Sequence, residues 1–195
     1  MKDATVVPVP AVGTRRPGGR TAENRKAVLA ATRALLVEQG CAGMRIGVIA
    51  GRAGVHRSSV YRRWKTPAGI VADLADDIAT TSEIPDAGSL ASDLRVVAER
   101  LAVNLAGDGP ALIKNLLAWP DAEVQAHLSK FWRDRQDEVA SILLRHGCSA
   151  DAAVVTRLLA GPLHYQALIE GQPVTSNTVE AAVAAACAVA AAGPM

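Results

Sequence analysis

The residues of this sequence with the clearest chemistry form one short basic run. From Arg57 to Lys65 the chain reads RSSVYRRWK. Val60 and Trp64 lie four residues apart in this run, so they would share one face of a helix. The remaining positions would then present arginine, lysine, serine and tyrosine side chains on the exposed face. Guanidinium groups match guanine edges and phosphates, which makes such a helix suited to DNA.

A second short helix is predicted directly before the basic one. Its small and apolar residues recur on one face at helical spacing, at Ile46, Ile49, Ala50 and Ala53. Gly54 can supply the positive φ that a sharp turn requires, and Val55 would fill the crease between the two helices. The segment 45–65 therefore predicts a helix-turn-helix whose second helix has the right size for the major groove.

This segment also resembles a known family. It carries the motif Ile49-Ala50-x-x-Ala53-Gly54-Val55, then Val60-Tyr61-x-x-Trp64, then Ile70. The pattern is similar to that of the tetracycline-repressor (TetR) family of bacterial transcriptional regulators. The resemblance implies a three-helix DNA-binding domain followed by a larger helical domain that binds a small molecule and forms a dimer.

Three positions depart from the family pattern: His56 stands where the family usually has a capping Ser or Thr, Met44 where it has Thr, and Pro67 where it has Lys. Histidine is a poorer helix cap, so we expect Ser58 or Ser59 to take over part of the capping. We expect Lys65 to supply the phosphate contact that Pro67 cannot make.

Eight residues are predicted to bind DNA, in two roles. Those expected to face base edges are Arg57, Ser58, Ser59 and Arg62, because arginine in particular suits guanine. Those expected to hold phosphates, which fix the register without reading sequence, are Arg45, Tyr61, Arg63 and Lys65.

The charges divide the chain into a basic and an acidic part. Residues 14–72 contain 12 Lys/Arg and 2 Asp/Glu, whereas residues 73–195 contain 8 and 16. This asymmetry is typical of a DNA-binding domain joined to a domain that does not touch DNA. Half of the residues are hydrophobic but only 3% are aromatic, a composition that favours helices built from Ala, Val, Leu and Ile.

We therefore predict an all-α chain of about nine helices in three segments. Residues 1–20 are rich in Pro and Gly and should form a disordered basic arm. Its arginines, Arg15, Arg16 and Arg20, either reach the DNA or belong to a solvated tail. Residues 21–67 should form the helix-turn-helix domain, and residues 68–195 a helical regulatory and dimerisation domain.

The family resemblance implies an effector pocket in the second domain. Most aromatic residues of the chain fall there, with histidine and arginine nearby, although each aromatic could equally be plain core. An apolar cleft with few polar groups suits a small lipophilic effector. The residues predicted to bind it are Trp119, His127, Phe131, Trp132, Arg135, His164 and Tyr165.

The resemblance also implies a homodimer formed by the last two helices. The final helix has a face of small apolar residues with no other evident use, which makes it the candidate surface. The residues predicted at the dimer interface are Leu158, Leu163, Val179, Val183, Ala186 and Ala190. The alternative is that this face packs within its own chain.

Other functions fit the sequence less well. Ser58 and Ser59 lie near His56, but no nucleophile elbow, phosphate loop or metal motif is present, so we expect neither an enzyme nor a cofactor or metal. The three cysteines follow no ligand spacing, and the apolar run at 181–192 is too short for a membrane span, which favours a cytoplasmic protein. A helical protein-binding adaptor and a transcriptional activator of the same fold stay open.

Overall fold

The computed structural model describes residues 19–79 and 86–192. The described residues form nine α-helices and no strand. The helices are α1 (Gly19–Gln39), α2 (Ile46–Ala53), α3 (Arg57–Trp64), α4 (Pro67–Ala79), α5 (Leu90–Asn104), α6 (Gly109–Leu117), α7 (Ala122–Arg145), α8 (Ala152–His164) and α9 (Ser176–Ala192). A 3-10 turn, Gly40–Gly43, follows α1, and a π-helical turn, Tyr165–Ile169, follows α8. The all-α prediction is confirmed.

The first three helices form the predicted helix-turn-helix unit. Helix α1 ends before Gly40 and α2 ends before Gly54, both with a φ of +63° that suits glycine. Between them the helices bury a small core, in which Ile49 and Val60 are fully buried. The predicted arm at 1–20 lies outside the described residues, except that Gly19 and Arg20 already belong to α1.

Helix α4 joins this unit to the rest of the chain. Its apolar residues Ile70, Val71 and Leu74 pack in the same core cluster as the residues of α1 to α3. That cluster also includes Leu116 of α6 and Val124 of α7. Helices α1 to α3, here called the head, and the helices after α4, here called the body, therefore share one hydrophobic core. A shift of α4 would be transmitted to both.

Helices α5, α7, α8 and α9 enclose a second core, and a buried carboxylate lies at the beginning of α5. Asp93 of α5 has no exposed surface. It accepts a hydrogen bond from the Ala87 N–H at 2.6 Å and pairs with Arg145 at 3.1 Å and His146 at 2.8 Å. These contacts compensate the cost of burying the charge and tie the start of α5 to the end of α7.

Within the described ranges, no helix combines the length and the apolar character needed to cross a bilayer.

Candidate nucleic-acid interface and effector cavity

The exposed face of α3 brings the predicted DNA-binding residues together. Val60 is fully buried and Trp64 partly buried under α3, as their spacing predicted. The outer face carries exposed Arg57, Ser58, Tyr61, Arg62, Arg63 and Lys65, with half-buried Ser59 beside them and exposed Arg45 just before α2. The result is a dense positive surface on one short helix.

The first turn of α3 is capped by His56. Its Nδ1 accepts the Ser58 backbone N–H at 3.3 Å and lies 2.7 Å from the Ser58 Oγ. We expected Ser58 or Ser59 to take over part of the capping; the structure instead has the His56 imidazole itself accept a first-turn N–H. Ser58 contributes only a hydroxyl contact to the same ring nitrogen.

Two carboxylates of α4 fix the positions of α1 and α3 relative to α4. Asp73 accepts the Trp64 indole N–H at 2.8 Å and an Arg25 guanidinium N–H at 2.6 Å, and Arg25 also donates to Asp77 at 2.7 Å. Burial raises the pKa of Asp73, but the hydrogen bonds from Arg25 and Trp64 outweigh it and hold that pKa below its ordinary value. The end of α3 is thus fixed to α4 through a charged carboxylate.

The approach of α4 to α3 depends on a glycine. A Cβ built on Gly69 would lie 2.7 Å from the Trp64 carbonyl oxygen. Lys65, the residue that ends α3, has a φ of +59°, a conformation that costs free energy for a side chain other than glycine. The tight turn between α3 and α4 therefore constrains the orientation of the basic face.

Arg63 differs from the other basic residues of α3. Its Nε lies 3.9 Å from the Asp73 carboxylate, and its guanidinium lies 5.1 Å from the centre of the Trp64 ring. It is still exposed, so it can reach a phosphate while remaining near these two groups.

A cavity of about 510 Å³ lies in the body between α5, α6, α7 and α8, next to the end of α4. Its walls are mostly apolar, and Phe131 packs against Trp132 edge to face, with ring centres 4.8 Å apart. Four residues predicted to bind an effector line this cavity: Phe131, Trp132, Arg135 and His164. The volume suits a small organic molecule.

Three residues predicted to bind the effector lie elsewhere. Trp119 is buried in the core that α6 and α7 share with the head. His127 faces α4, where its Nδ1 lies 3.0 Å from Asp76. Tyr165 follows the end of α8 and is 58% exposed. None of these three side chains lines the cavity, so the structure does not bring them together with the other four.

Two charged residues of the cavity, Glu138 and Arg100, were not predicted from the sequence. Glu138 of α7 is only 7% exposed, and the Arg100 guanidinium of α5 donates to its Oε1. The Nη1 of Arg135 lies 3.2 Å from its other oxygen. The i, i+3 spacing of Arg135 and Glu138 could have indicated this pair, but nothing in the local sequence of α5 points to Arg100.

His164 of α8 lines the cavity and presents a hydrogen-bond acceptor there. Burial lowers its pKa, and the hydrogen bond of Nδ1 to the Ala160 carbonyl at 2.9 Å opposes that shift only in part. A carbonyl can only accept, so Nδ1 carries the proton and Nε2 presents a lone pair. Within the described part of the chain this buried Nε2 has no hydrogen-bond partner.

The predicted dimer residues require a correction. Five of them are 6% exposed or less and pack in the second core of their own chain: Leu163, Val179, Val183, Ala186 and Ala190. Leu158 is half-buried against the same core. A partner could cover almost none of this area. The opposite face of α9 is exposed instead, and it carries Ala181, Ala184, Ala185, Ala188 and Ala192.

Two family models match the chain. Residues 28–74 match the model of bacterial regulatory proteins of the tetR family, and residues 84–186 match that of the tetracyclin repressor-like C-terminal domain. Among curated relatives, the HTH-type transcriptional regulator AqdR of Rhodococcus erythropolis is 32% identical over 154 residues, which is 74% of each chain. The uncharacterized HTH-type transcriptional regulator YdeS of Bacillus subtilis is 28% identical over 178 residues, 85% of this chain and 89% of the relative.

Solved structures show the same fold. A TetR transcriptional regulator from Agrobacterium tumefaciens superposes with a TM-score of 0.64 at 23% identity, over 85% of this chain and 93% of the other. SmeT, described as the repressor of a multidrug efflux pump of Stenotrophomonas maltophilia, superposes with a TM-score of 0.63 at 22% identity, over 85% and 91%.

Proposed function

The chain belongs to the TetR family of bacterial transcriptional regulators, and from that premise we propose that it is a ligand-responsive repressor. As a homodimer it binds a pseudo-palindromic operator through α3, and it leaves the operator when a small molecule occupies the cavity of the body. Such a protein acts on the chromosome, in the cytoplasm, and it needs no catalytic residue or cofactor.

The exposed basic face of α3 is the observation that carries this proposal. Arg57 and Arg62 stand on the outer face of a helix whose inner residues are buried, so their guanidiniums are available to base edges. Arg45 lies directly before α2 and Lys65 directly after α3, and both can hold phosphates. We propose for each of the eight residues the same role, base reading or phosphate binding, that the sequence suggested.

The exposed alanine face of α9 supports the dimer. Together with the exposed Gly161 of α8, it offers a surface of small residues that a second copy could approach closely. Two copies related by a two-fold axis would place their α3 helices in successive major grooves, about 34–36 Å apart. The operator would then be a pseudo-palindrome.

Helix α4 supports release by an effector. Ala75 and Ile78 of this helix line the cavity, whereas Asp73 on the same helix holds Trp64 at the end of α3. A molecule that fills the cavity and displaces α4 would therefore change the orientation of α3. If only one orientation in the dimer fits the operator, the ligand shifts the population away from DNA.

Selection of bound duplexes from a random pool, followed by a reporter assay, tests this function. We expect the pool to converge on a two-fold symmetric site with half-sites about one helical turn apart. A promoter that contains this site should be less active when the protein is present. Increased expression would identify an activator instead, and a pool that does not converge would favour the adaptor.

A further inference from the structure

The charged side chains around the cavity balance one another. Among the described residues, those that line it with a charge are Arg100, Arg135, Glu99 and Glu138. Two are positive and two are negative, and Glu138 pairs with both arginines. An ion that moved from water into this space would lose its hydration without meeting a surplus of opposite charge. The cavity therefore favours an uncharged molecule.

The mouth of the cavity is also apolar. It lies beside the end of α5 and α6, where Val103 is 75% exposed and Leu117 is 48% exposed, and both side chains line the cavity. Further inside, the wall includes the buried residues Leu116 and Val139. A lipophilic molecule thus meets apolar surface from the mouth to the interior.

His164 adds a hydrogen-bond acceptor to this apolar wall. Its Nδ1 lies 2.9 Å from the Ala160 carbonyl oxygen, so the proton stays on Nδ1 and Nε2 keeps a lone pair. The Trp132 ring, whose centre lies 5.7 Å away, packs edge to face against the imidazole. In residues 19–79 and 86–192, nothing forms a hydrogen bond with the buried Nε2. Because a buried acceptor without a partner is unfavourable, a ligand O–H or N–H that reached this nitrogen would bind more tightly.

Thr156 of α8 also lines the cavity, and it too can accept a hydrogen bond. Its hydroxyl donates to the Ala152 carbonyl oxygen at 2.7 Å. The proton of this hydroxyl is therefore already used, whereas its oxygen can still accept. Thr156 and His164 are eight residues apart, which places them on the same side of α8. The α8 wall thus calls for a hydrogen-bond donor on the ligand.

Resting on the proposed function, we infer that the effector is an uncharged lipophilic molecule with a hydroxyl or N–H group, and that His164 selects it. The donor of the ligand binds Nε2 of His164, and its apolar part fills the space between α5, α6 and α7.

Displacement of a fluorescent dye from the full-length protein tests this inference. N-phenyl-1-naphthylamine is uncharged and apolar, and its emission reports occupancy of an apolar site. Three competing biphenyls differ in one group: 4-phenylphenol can donate a hydrogen bond, 4-methoxybiphenyl cannot, and biphenyl-4-carboxylate is an anion at neutral pH. We expect 4-phenylphenol to bind about fivefold more tightly than 4-methoxybiphenyl. It should bind about tenfold more tightly than the carboxylate, or more, because that anion must lose its hydration.

Variants of His164 assign the donor preference to its Nε2. His164→Phe keeps a ring beside Trp132 but removes the acceptor, so 4-phenylphenol and 4-methoxybiphenyl should then bind alike. His164→Gln, whose amide oxygen can accept, should keep part of the preference. Tyr165→Phe is the control, since this exposed ring follows His164 in sequence and lies outside the cavity. It should leave the preference unchanged. The circular dichroism of each variant checks that it is folded.

The inference is overturned if the wild type binds neither the dye nor the biphenyls, binds 4-phenylphenol and 4-methoxybiphenyl equally, or prefers the carboxylate. A donor preference that survives in folded His164→Phe would overturn it as well. Operator binding by the ligand-free protein, measured in parallel, separates the two proposals. Normal operator binding without these preferences contradicts only the effector class, whereas no operator binding with the preferences intact contradicts only the repressor function.

Discussion

The basic face of α3 and the interior of the body hold their charges in opposite ways. Arg57 and Arg62 stand exposed on a helix anchored by its other face. In the body, Asp93 is fully buried and Glu138 is 7% exposed, and both are held by ion pairs. Removal of an exposed arginine should therefore affect DNA binding alone, whereas removal of a buried carboxylate should affect folding.

The largest effect is expected from Asp93→Ala. This change removes the acceptor of the Ala87 N–H and leaves Arg145 and His146 without their shared carboxylate. The free energy of unfolding should fall by about 3–5 kcal/mol, measured by urea denaturation. Asp86→Ala is the control, because its carboxylate is largely exposed and lies 3.9 Å from Arg145. This variant should lose less than about 1 kcal/mol of stability, and a larger loss would contradict the difference between exposed and buried charges.

The pH dependence of stability should report the same carboxylate. Burial raises the pKa of Asp93, but the Ala87 N–H, His146 and Arg145 together hold it below its ordinary value. The unfolded state then binds more protons, so the stabilisation is present above the ordinary pKa and is lost as the pH falls through the lower folded pKa. Urea denaturation at each pH gives the free energy of unfolding. Between about pH 5 and pH 3 this free energy should fall more steeply for the wild type than for Asp93→Asn. Equal slopes would mean that another group causes the loss of stability in acid.

A charge placed on the outer face of α9 should prevent dimer formation if a second copy covers this face. Ala185→Glu places a carboxylate on this exposed face and should leave the isolated chain folded. Burying that carboxylate without a counter-charge in a dimer costs about 3 kcal/mol or more. Sedimentation velocity should show a dimer for the wild type and for Ala140→Glu, an exposed position on α7, but a monomer for Ala185→Glu. If the wild type is a monomer at micromolar concentration, the proposed dimer is wrong.

Arg57→Ala should change DNA recognition without changing stability. The loss of a guanidinium at a base edge should cost about 1–3 kcal/mol on the selected operator and relax the preference at one base pair. Fluorescence anisotropy with the operator and its single-base variants measures both effects. An equal loss on every sequence would place Arg57 at a phosphate.

The smallest effect is expected from Arg63→Ala. Without a guanidinium to hold a phosphate at this position, binding to all sequences should weaken alike. The slope of the logarithm of affinity against the logarithm of salt concentration should become shallower by about one unit. Because Arg63 also lies near Asp73 and Trp64, urea denaturation is needed beside the salt titration. A changed base preference with an unchanged slope would reverse the roles of Arg63 and Arg57.

How far the sequence could predict each region follows from the range of the interactions that build it. The helix-turn-helix was predictable because its signals are local: Gly54 ends α2, and Val60 and Trp64 mark the inner face of α3 four residues apart. The cap by His56 was underrated because propensities rank side chains by average behaviour and do not describe one imidazole beside one N–H.

The inner face of α9 was harder to predict because twelve of its seventeen residues are alanine or valine. Hydrophobicity does not separate its two faces. Size separates them only in part: Val179 and Val183 point into the core, but so do Ala186 and Ala190, and alanine also covers most of the exposed face. The cavity was harder still to predict from the sequence. Arg100, Glu138 and His164 come from three helices and line one space only after these helices have packed.

A titration of labelled duplex DNA at low ionic strength, with the wild type and the Arg57→Ala/Arg62→Ala double variant, tests the central claim most directly. The account predicts that the wild type binds, that its affinity falls steeply as salt is added, and that the folded double variant loses most of this affinity. A wild type that ignores every duplex, or a double variant that binds as tightly as the wild type, would contradict it.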